Sequence, residues 1–421
     1  MYLKGSKWSM NRRRKPINYF GIAVLLILIA IMLYVQQMII PTVETPFRPT
    51  PTATRPPEAY ISEADQLFKE GKLTQAIDSY QQAIKANPGD ATIYVALAQV
   101  QIFAGKPADA KISAENAILL SPNNSMAHAV HGWALDFLGD YILAEASVQR
   151  ALEFDPNNAK ARAYYAEILI DQYISGTGPL DVLDRASAES KAALELGPNT
   201  VEAHRARGYV LEATQNYQEA LREYQAAAAI NDNIADVHLH IGYNYSALGL
   251  TTEAVTALTR ADTLNPADPT PDIVIARIYA RLGEYPRAIQ YADQAIQNEP
   301  TNASFYGTKG VLLYRNFQWP EAEAALSLAV RGGGTADGTP ILPVELTTES
   351  RIVEFYWTYG LVLVRLGKCG DALPIFRQVR ERAPNDEIAI ASVAEGEKIC
   401  AESIGSFTPE PTADRTAAPT P

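Results

Sequence analysis

The chain has 421 residues, 47% of them apolar and 20% charged, enough apolar content to bury a large core, which excludes wholesale disorder. Its net charge is −12, and because residues 1–16 hold six bases (Lys4, Lys7, Arg12, Arg13, Arg14, Lys15) and no acid, the remainder carries −18. A body that acidic repels phosphate backbones, which argues against nucleic acid as a partner, and the two cysteines, Cys369 and Cys400, are too few for a zinc ribbon or a disulfide-rich scaffold.

The basic tail (1–16) leads into 24 uncharged residues (17–40), mostly Ile, Leu, Val, Ala and Met. As a helix rising ~1.5 Å per residue this stretch reaches about 36 Å, enough to cross a ~30 Å hydrocarbon layer with some tilt. The run is longer than a signal-peptide core and no small-x-small site follows it, so a retained transmembrane helix is expected rather than a cleaved leader. "NRRRK" stands just before the span, while only Arg48 and Arg55 follow it closely. The positive-inside rule therefore predicts a single-pass protein of the cell membrane, N-terminus cytoplasmic and everything after residue 40 extracytoplasmic. Residues 41–57 contain six prolines, and with threonine between them they read as a semi-rigid stalk.

From 58 to 386 the chain is periodic. Prolines 88, 122, 156, 198, 266, 300 and 384 are spaced by 34, 34, 42, 68, 34 and 84 residues, and the 68 is two periods with Asp232 in the missing proline's place. Let the punctuating residue be position 32 of a unit. Alanine then occupies position 20 in all nine units, from Ala76 to Ala372, and position 27 in eight of nine, with Val379 the exception. Position 8 is always Ala or Gly, and position 15 is Gly in six units (Gly71, Gly105, Gly139, Gly249, Gly283, Gly367). Small residues mark close helix crossings, glycine with positive φ ends a first helix, and proline stops the second. Large apolar residues at position 24, such as Tyr224 and Phe376, are expected to fill the space between neighbouring units.

This pattern resembles the tetratricopeptide repeat (TPR) family, whose unit is 34 residues long. The resemblance implies an all-α fold: a right-handed α-solenoid of about nine helix pairs, with 387–404 as a C-terminal capping helix, one transmembrane helix before the array and a disordered tail over 405–421. The family's position-4 aromatic is kept at Tyr60, Tyr94, Tyr306 and Tyr356 and replaced at His128, His204 and His238. Insertions fall near 175–183 and 335–350, and the apolar "ILPVEL" of the second is a candidate to fold back onto the array.

No chemistry-bearing motif appears. There is no G-x-S-x-G, Walker loop or H-E-x-x-H. His128 with His131, and His238 with His240, are spaced like ligand pairs, yet nothing completes a metal site. No catalytic residue, metal or cofactor is expected. Cys369 opens one helix and Cys400 lies late in the cap, so they are either a disulfide clamping the cap or two unrelated thiols.

The resemblance further implies a concave groove lined by positions 2, 5, 9, 12 and 13. Units one to six place there eight acids (among them Asp136, Glu167, Asp171, Glu202, Glu212 and Asp236) and three bases, Lys69, Lys160 and Arg205. Units seven to nine place there Arg277, Arg281, Arg315 and Arg365 against Glu354 alone. With Trp133, Tyr209, Tyr243 and Trp357 as apolar anchors, these arginines point to a protein or peptide partner bearing an acidic segment or free carboxylate. Positions 5 and 9 contain no asparagine, which disfavours the family's chaperone-type carboxylate clamp. The expected function is a non-catalytic, membrane-anchored scaffold that binds partners in this groove on the extracytoplasmic side. The alternatives are an accessory subunit positioning substrate for an envelope enzyme complex and an enzyme whose site lies in the 335–350 insert.

Overall fold

The computed structural model of the chain describes residues 18–39 and 55–405. The expected basic tail (1–16), most of the stalk (41–54) and the C-terminal tail (406–421) lie outside the described residues. The described residues fall into two separate units, divided between Arg55 and Pro56. In the first, α1 (Tyr19–Tyr34) runs into a π-helical turn, Val35–Ile39. Residues 19–37 have a mean hydropathy of 2.4 and bury none of their surface in the chain, so this one helix is long and apolar enough to cross a membrane. Asn18 caps it, its Oδ1 accepting from the Gly21 amide at 3.1 Å.

The second unit is a stack of helix pairs. It opens with α2 (Pro57–Lys69) and α3 (Leu73–Ala86), then α4 (Ala91–Phe103) with α5 (Pro107–Leu120), and α6 (Ser125–Phe137) with α7 (Tyr141–Phe154). There follow α8 (Ala159–Ile174) with α9 (Val182–Leu196), α10 (Val201–Ala213) with α11 (Tyr217–Ile230), and α12 (Ala235–Ala247) with α13 (Thr251–Leu264). The last pairs are α14 (Thr270–Arg281) with α15 (Tyr285–Asn298), α16 (Ala303–Arg315) with α17 (Trp319–Arg331), and α18 (Ser350–Arg365) with α19 (Cys369–Arg382). The capping helix α20 (Glu387–Gly405) closes the array against α18 and α19.

Each repeat position has a physical job. The alanines of positions 20 and 27 are fully buried in every unit that has them. The position-24 side chain packs on position 8 of its own unit and also reaches the next one, as Tyr224 stacked on His240 at 5.0 Å and Phe376 set against Gly396 of the cap show. A Cβ on Gly132, Gly310 or Gly360 would lie 2.5 Å from Val148, 2.4 Å from Leu326 and 2.2 Å from Phe376 respectively. Position 15 has positive φ throughout the units of regular length, including the two without glycine, where Gln215 (φ 63°) and Phe317 (φ 60°) take its place.

In five units position 4 serves as a hydrogen-bond donor to the preceding inter-unit turn, whether or not it is aromatic. His128 Nε2 lies 2.8 Å from the Pro122 carbonyl, His204 Nε2 2.9 Å from that of Pro198, and His238 Nε2 2.9 Å from that of Asp232. Arg162 Nε and the Tyr306 hydroxyl each donate at 3.0 Å to the equivalent carbonyls of Pro156 and Pro300. All five bind the carbonyl six residues back, satisfying a backbone acceptor in the inter-unit turn. Histidine, arginine and tyrosine are interchangeable there because each reaches with an N–H or O–H.

The N-terminal half coils upon itself. Asn233, in the turn between the fifth and sixth units, donates from Nδ2 to the Lys69 carbonyl of the first unit at 2.8 Å. Phe103 of α4 meets Phe68 at a tilt, ring centres 5.5 Å apart, and packs against the Val201–Ile241 cluster of the fifth and sixth units. This closure encloses the concave face that the sequence had read as an open groove. The second insertion does fold back: Gly333–Gly334 and Pro340–Ile341 form a two-residue antiparallel ladder, the one departure from an all-α fold among the described residues. Ile341 is buried, the Val344 amide donates to the Ala329 carbonyl at 2.8 Å, and the Val344 carbonyl accepts from the Tyr356 hydroxyl at 2.6 Å.

Candidate functional site

Three of the four predicted arginines converge. Arg277 and Arg281 from α14, Arg315 from α16, and Arg351 with Glu354 from α18 line a recess of about 210 Å³ floored by Val311, Leu312 and Phe355. Glycine makes the approach of α16 to α18 feasible: a Cβ on Gly307 would lie 2.5 Å from the Phe355 ring. Arg281 and Arg315 sit at position 13 of successive units, so stacking alone superposes them. Arg277 lies one turn before Arg281 on the same face.

The recess is short of negative charge. Arg315 donates to Glu354 at 2.7 Å, Arg351 pairs with Glu349 at 2.9 Å, and Arg281 has a neutral partner, the Ser246 hydroxyl, at 2.5 Å. The Nε atoms of Arg277 and Arg351 are buried without a hydrogen-bond partner. Burial, and then the neighbouring Arg351 charge, hold the Arg277 guanidinium below its ordinary value. Both effects oppose ionisation and would be relieved by an anion seated between the two side chains. What the arrangement offers is therefore anion capture by convergent charged donors.

The remaining predicted residues separate. Arg365 is exposed at the end of α18 and does not line the recess. Tyr243 does not line the recess either, although it feels Arg277: burial pushes its hydroxyl up to about 12, with Arg277 pulling the other way. Trp357 is half-buried against the C-terminal core. Trp133 is fully buried, stacked on Tyr164 at 4.3 Å with Phe103 at 5.2 Å, so it is a core residue of the closed N-terminal half and presents no surface to a partner. Tyr209 is turned inward too, its hydroxyl donating to Asp171 at 2.5 Å. Arg351 was missed because it precedes the first regular repeat position; the insert lets α18 start early and run 16 residues. Its one sequence signal is the three- and four-residue spacing to Glu354 and Phe355, which puts all three on one helical face. Cys369 and Cys400 are joined in a disulfide, with Cα atoms 5.6 Å apart, tying α19 to the cap.

Stacked helix pairs, buried small-residue columns and a charged concave recess define an α-solenoid of the repeat-scaffold class. Family models described as tetratricopeptide repeat match residues 64–102, 127–158, 201–234, 235–268 and 273–337, and the chain is a tetratricopeptide repeat protein. Solved structures with a similar fold include a tetratricopeptide repeat protein from Parabacteroides merdae, 17% identical over 61% of this chain and 98% of that one, with a TM-score of 0.40. Another is yeast Tom70, 14% identical over 84% of this chain and 97% of that one, with a TM-score of 0.42. No curated protein matches the sequence.

Proposed function

We propose that the chain is a membrane-anchored, non-catalytic scaffold that captures an acidic segment or C-terminal carboxylate of a protein partner in the arginine recess. Tetratricopeptide repeats imply a protein-interaction role. The observation that carries the finer reading is the pair of buried, unpartnered Nε donors on Arg277 and Arg351, in a recess with room for a carboxylate. Unmet charged donors of this kind cost free energy unless a ligand satisfies them. The exposed apolar α1 supports anchoring, and the bases before it support a cytoplasmic N-terminus. An array outside the cytoplasm fits the Cys369–Cys400 disulfide, which an oxidising compartment would maintain.

The test uses full-length protein in nanodiscs and a fluorescent acidic peptide with a free C-terminus. Arg281→Glu combined with Arg315→Glu should weaken binding by about tenfold or more, and salt should weaken wild-type binding. Affinity unchanged by the double substitution would refute the site. A reporter fused after Gly405 that is active only in the cytoplasm would refute the orientation.

A further inference from the structure

The closed N-terminal half contains a second site of opposite charge, which nothing in the arginine reading uses. Where the superhelix wraps round its own axis, an inner chamber of about 110 Å³ is lined by carboxyl groups from three first helices: Asp136 of α6, Glu167 and Asp171 of α8, and Asp236 of α12. Two cations enter the wall. Arg205 forks between Glu167 and Asp236, reaching the latter at 2.6 Å. His240 lies 3.1 Å from Glu212 and 3.6 Å from Asp236.

Two independent features indicate a missing positive group. Asp136 and Glu167 are 5% and 4% exposed, and Asp136 Oδ1 and Glu167 Oε1 have no hydrogen-bond partner although both side chains line the chamber. A buried acceptor left empty costs about 1–3 kcal/mol. The charge balance agrees, since four carboxyl groups line the chamber with Arg205 and His240, and His240 is shared with Glu212 behind it. Burial, the neighbouring carboxylates of Asp171 and Glu167, and a hydrogen bond shared with Asp171 drive the Asp136 carboxyl well above the usual range. Burial likewise lifts Glu167 to about 7 against the pull of Arg205.

We propose that this chamber binds a primary ammonium group, carried on a free alkylamine or on the lysine side chain of a peptide, with Asp136 Oδ1 and Glu167 Oε1 as its acceptors. An ammonium is a compact charge with three donors on a flexible stem. The two empty oxygens take two of them, and the Tyr224 hydroxyl, buried on the chamber wall without a partner, is placed to take the third. Phe137, 52% exposed, stands at the rim and offers an apolar wall for the stem. Among the described residues no three carboxylate, histidine or cysteine groups converge as metal ligands, which favours an organic cation over a metal ion.

The test is titration calorimetry on the full-length protein in nanodiscs with butylammonium, with butanol as its neutral counterpart, and with a capped Gly-Lys-Gly peptide and its Nε-acetylated form. Butylammonium should bind and butanol should not. Asp136→Asn and Glu167→Gln should each weaken binding by about tenfold or more while circular dichroism stays unchanged. Hydrogen exchange on the wild type should show α6 and α8 protected by the amine, a readout independent of any variant. A peptide that binds at least as tightly as butylammonium, and loses binding on acetylation, assigns the site to a partner's lysine. Binding of butylammonium alone assigns it to a free amine. Equal responses to butylammonium and butanol, or undiminished binding by both variants, would mean that the chamber holds water only.

Discussion

Trp133→Ala separates a partner anchor from a core residue. The indole is fully buried, stacks parallel on Tyr164 at 4.3 Å, meets Phe103 and Phe137 edge-on at 5.2 and 5.8 Å, and carries Arg205 4.9 Å over its ring. Truncating a buried tryptophan costs about 3–5 kcal/mol through lost transfer energy and the cavity left behind, and each geometrically favourable ring pair adds about 0.5–1.5 kcal/mol. Against this, the indole Nε1 has no partner, so removing it returns about 1–3 kcal/mol. The net expectation is a loss of about 3–5 kcal/mol. In a repeat array stability is a local sum, so the loss should fall on the N-terminal half. Hydrogen exchange of the full chain should accelerate by about two to four powers of ten in α4 to α11, at about 1.4 kcal/mol per tenfold, and stay near wild type in α14 to α20. Affinity for the acidic peptide should not change. The reasoning is refuted if the variant exchanges within about 1 kcal/mol of wild type, or keeps its stability and loses the peptide.

Other substitutions probe single features. Phe317→Gly and Gln215→Gly should each raise thermal stability by about 0.5–1 kcal/mol, since both residues hold the positive φ that glycine adopts at the same position elsewhere; a lower melting temperature would show that side-chain contacts there outweigh the backbone. Cys369→Ser opens a bridge spanning 31 residues, and on chain-entropy grounds should cost about 3–4 kcal/mol, read as faster exchange in α20; unchanged protection would show that packing alone holds the cap. The chamber makes the N-terminal half less stable in alkali. Glu167 rises from 4.5 to about 7, chiefly by burial, and His240 from 6.5 to about 9, where Glu212 and Asp236 outweigh burial. Both groups hold their protons more tightly when folded, so the stabilisation is complete below the unfolded values and is lost as pH rises through the folded ones. Denaturant unfolding should show a fall of about 2 kcal/mol or more between about pH 5 and pH 9, and Glu167→Gln should flatten its lower part. A flat profile would remove the coupling.

The repeat was legible from residues alone because its signals are local. Proline at position 32, alanine at 20 and 27, and a positive-φ residue at 15 answer to contacts within one helix pair or its turn, and that neighbourhood recurs every 34 residues wherever no insertion intervenes. The arginine recess was partly legible for the same reason: Arg281 and Arg315 share a repeat position, so stacking brings them together without long-range information. Arg351 lies outside the repeat numbering and entered only because the insert extends α18.

The character of the groove depended on curvature, which is a sum of small rotations between units that no single unit encodes. Only the tertiary structure brings Asn233 to Lys69, across 164 residues, and Phe103 onto the fifth and sixth units. That closure turns Trp133 from an exposed anchor into core and gathers Asp136, Glu167, Asp171 and Asp236 from an acidic stripe into a chamber. The sequence thus determined the units, their stacking and the sign of charge along the inner face. Whether that face meets solvent or itself was decided by the pitch of the coil, because the burial that raises Asp136 and Glu167 comes from packing between units and not from any one of them.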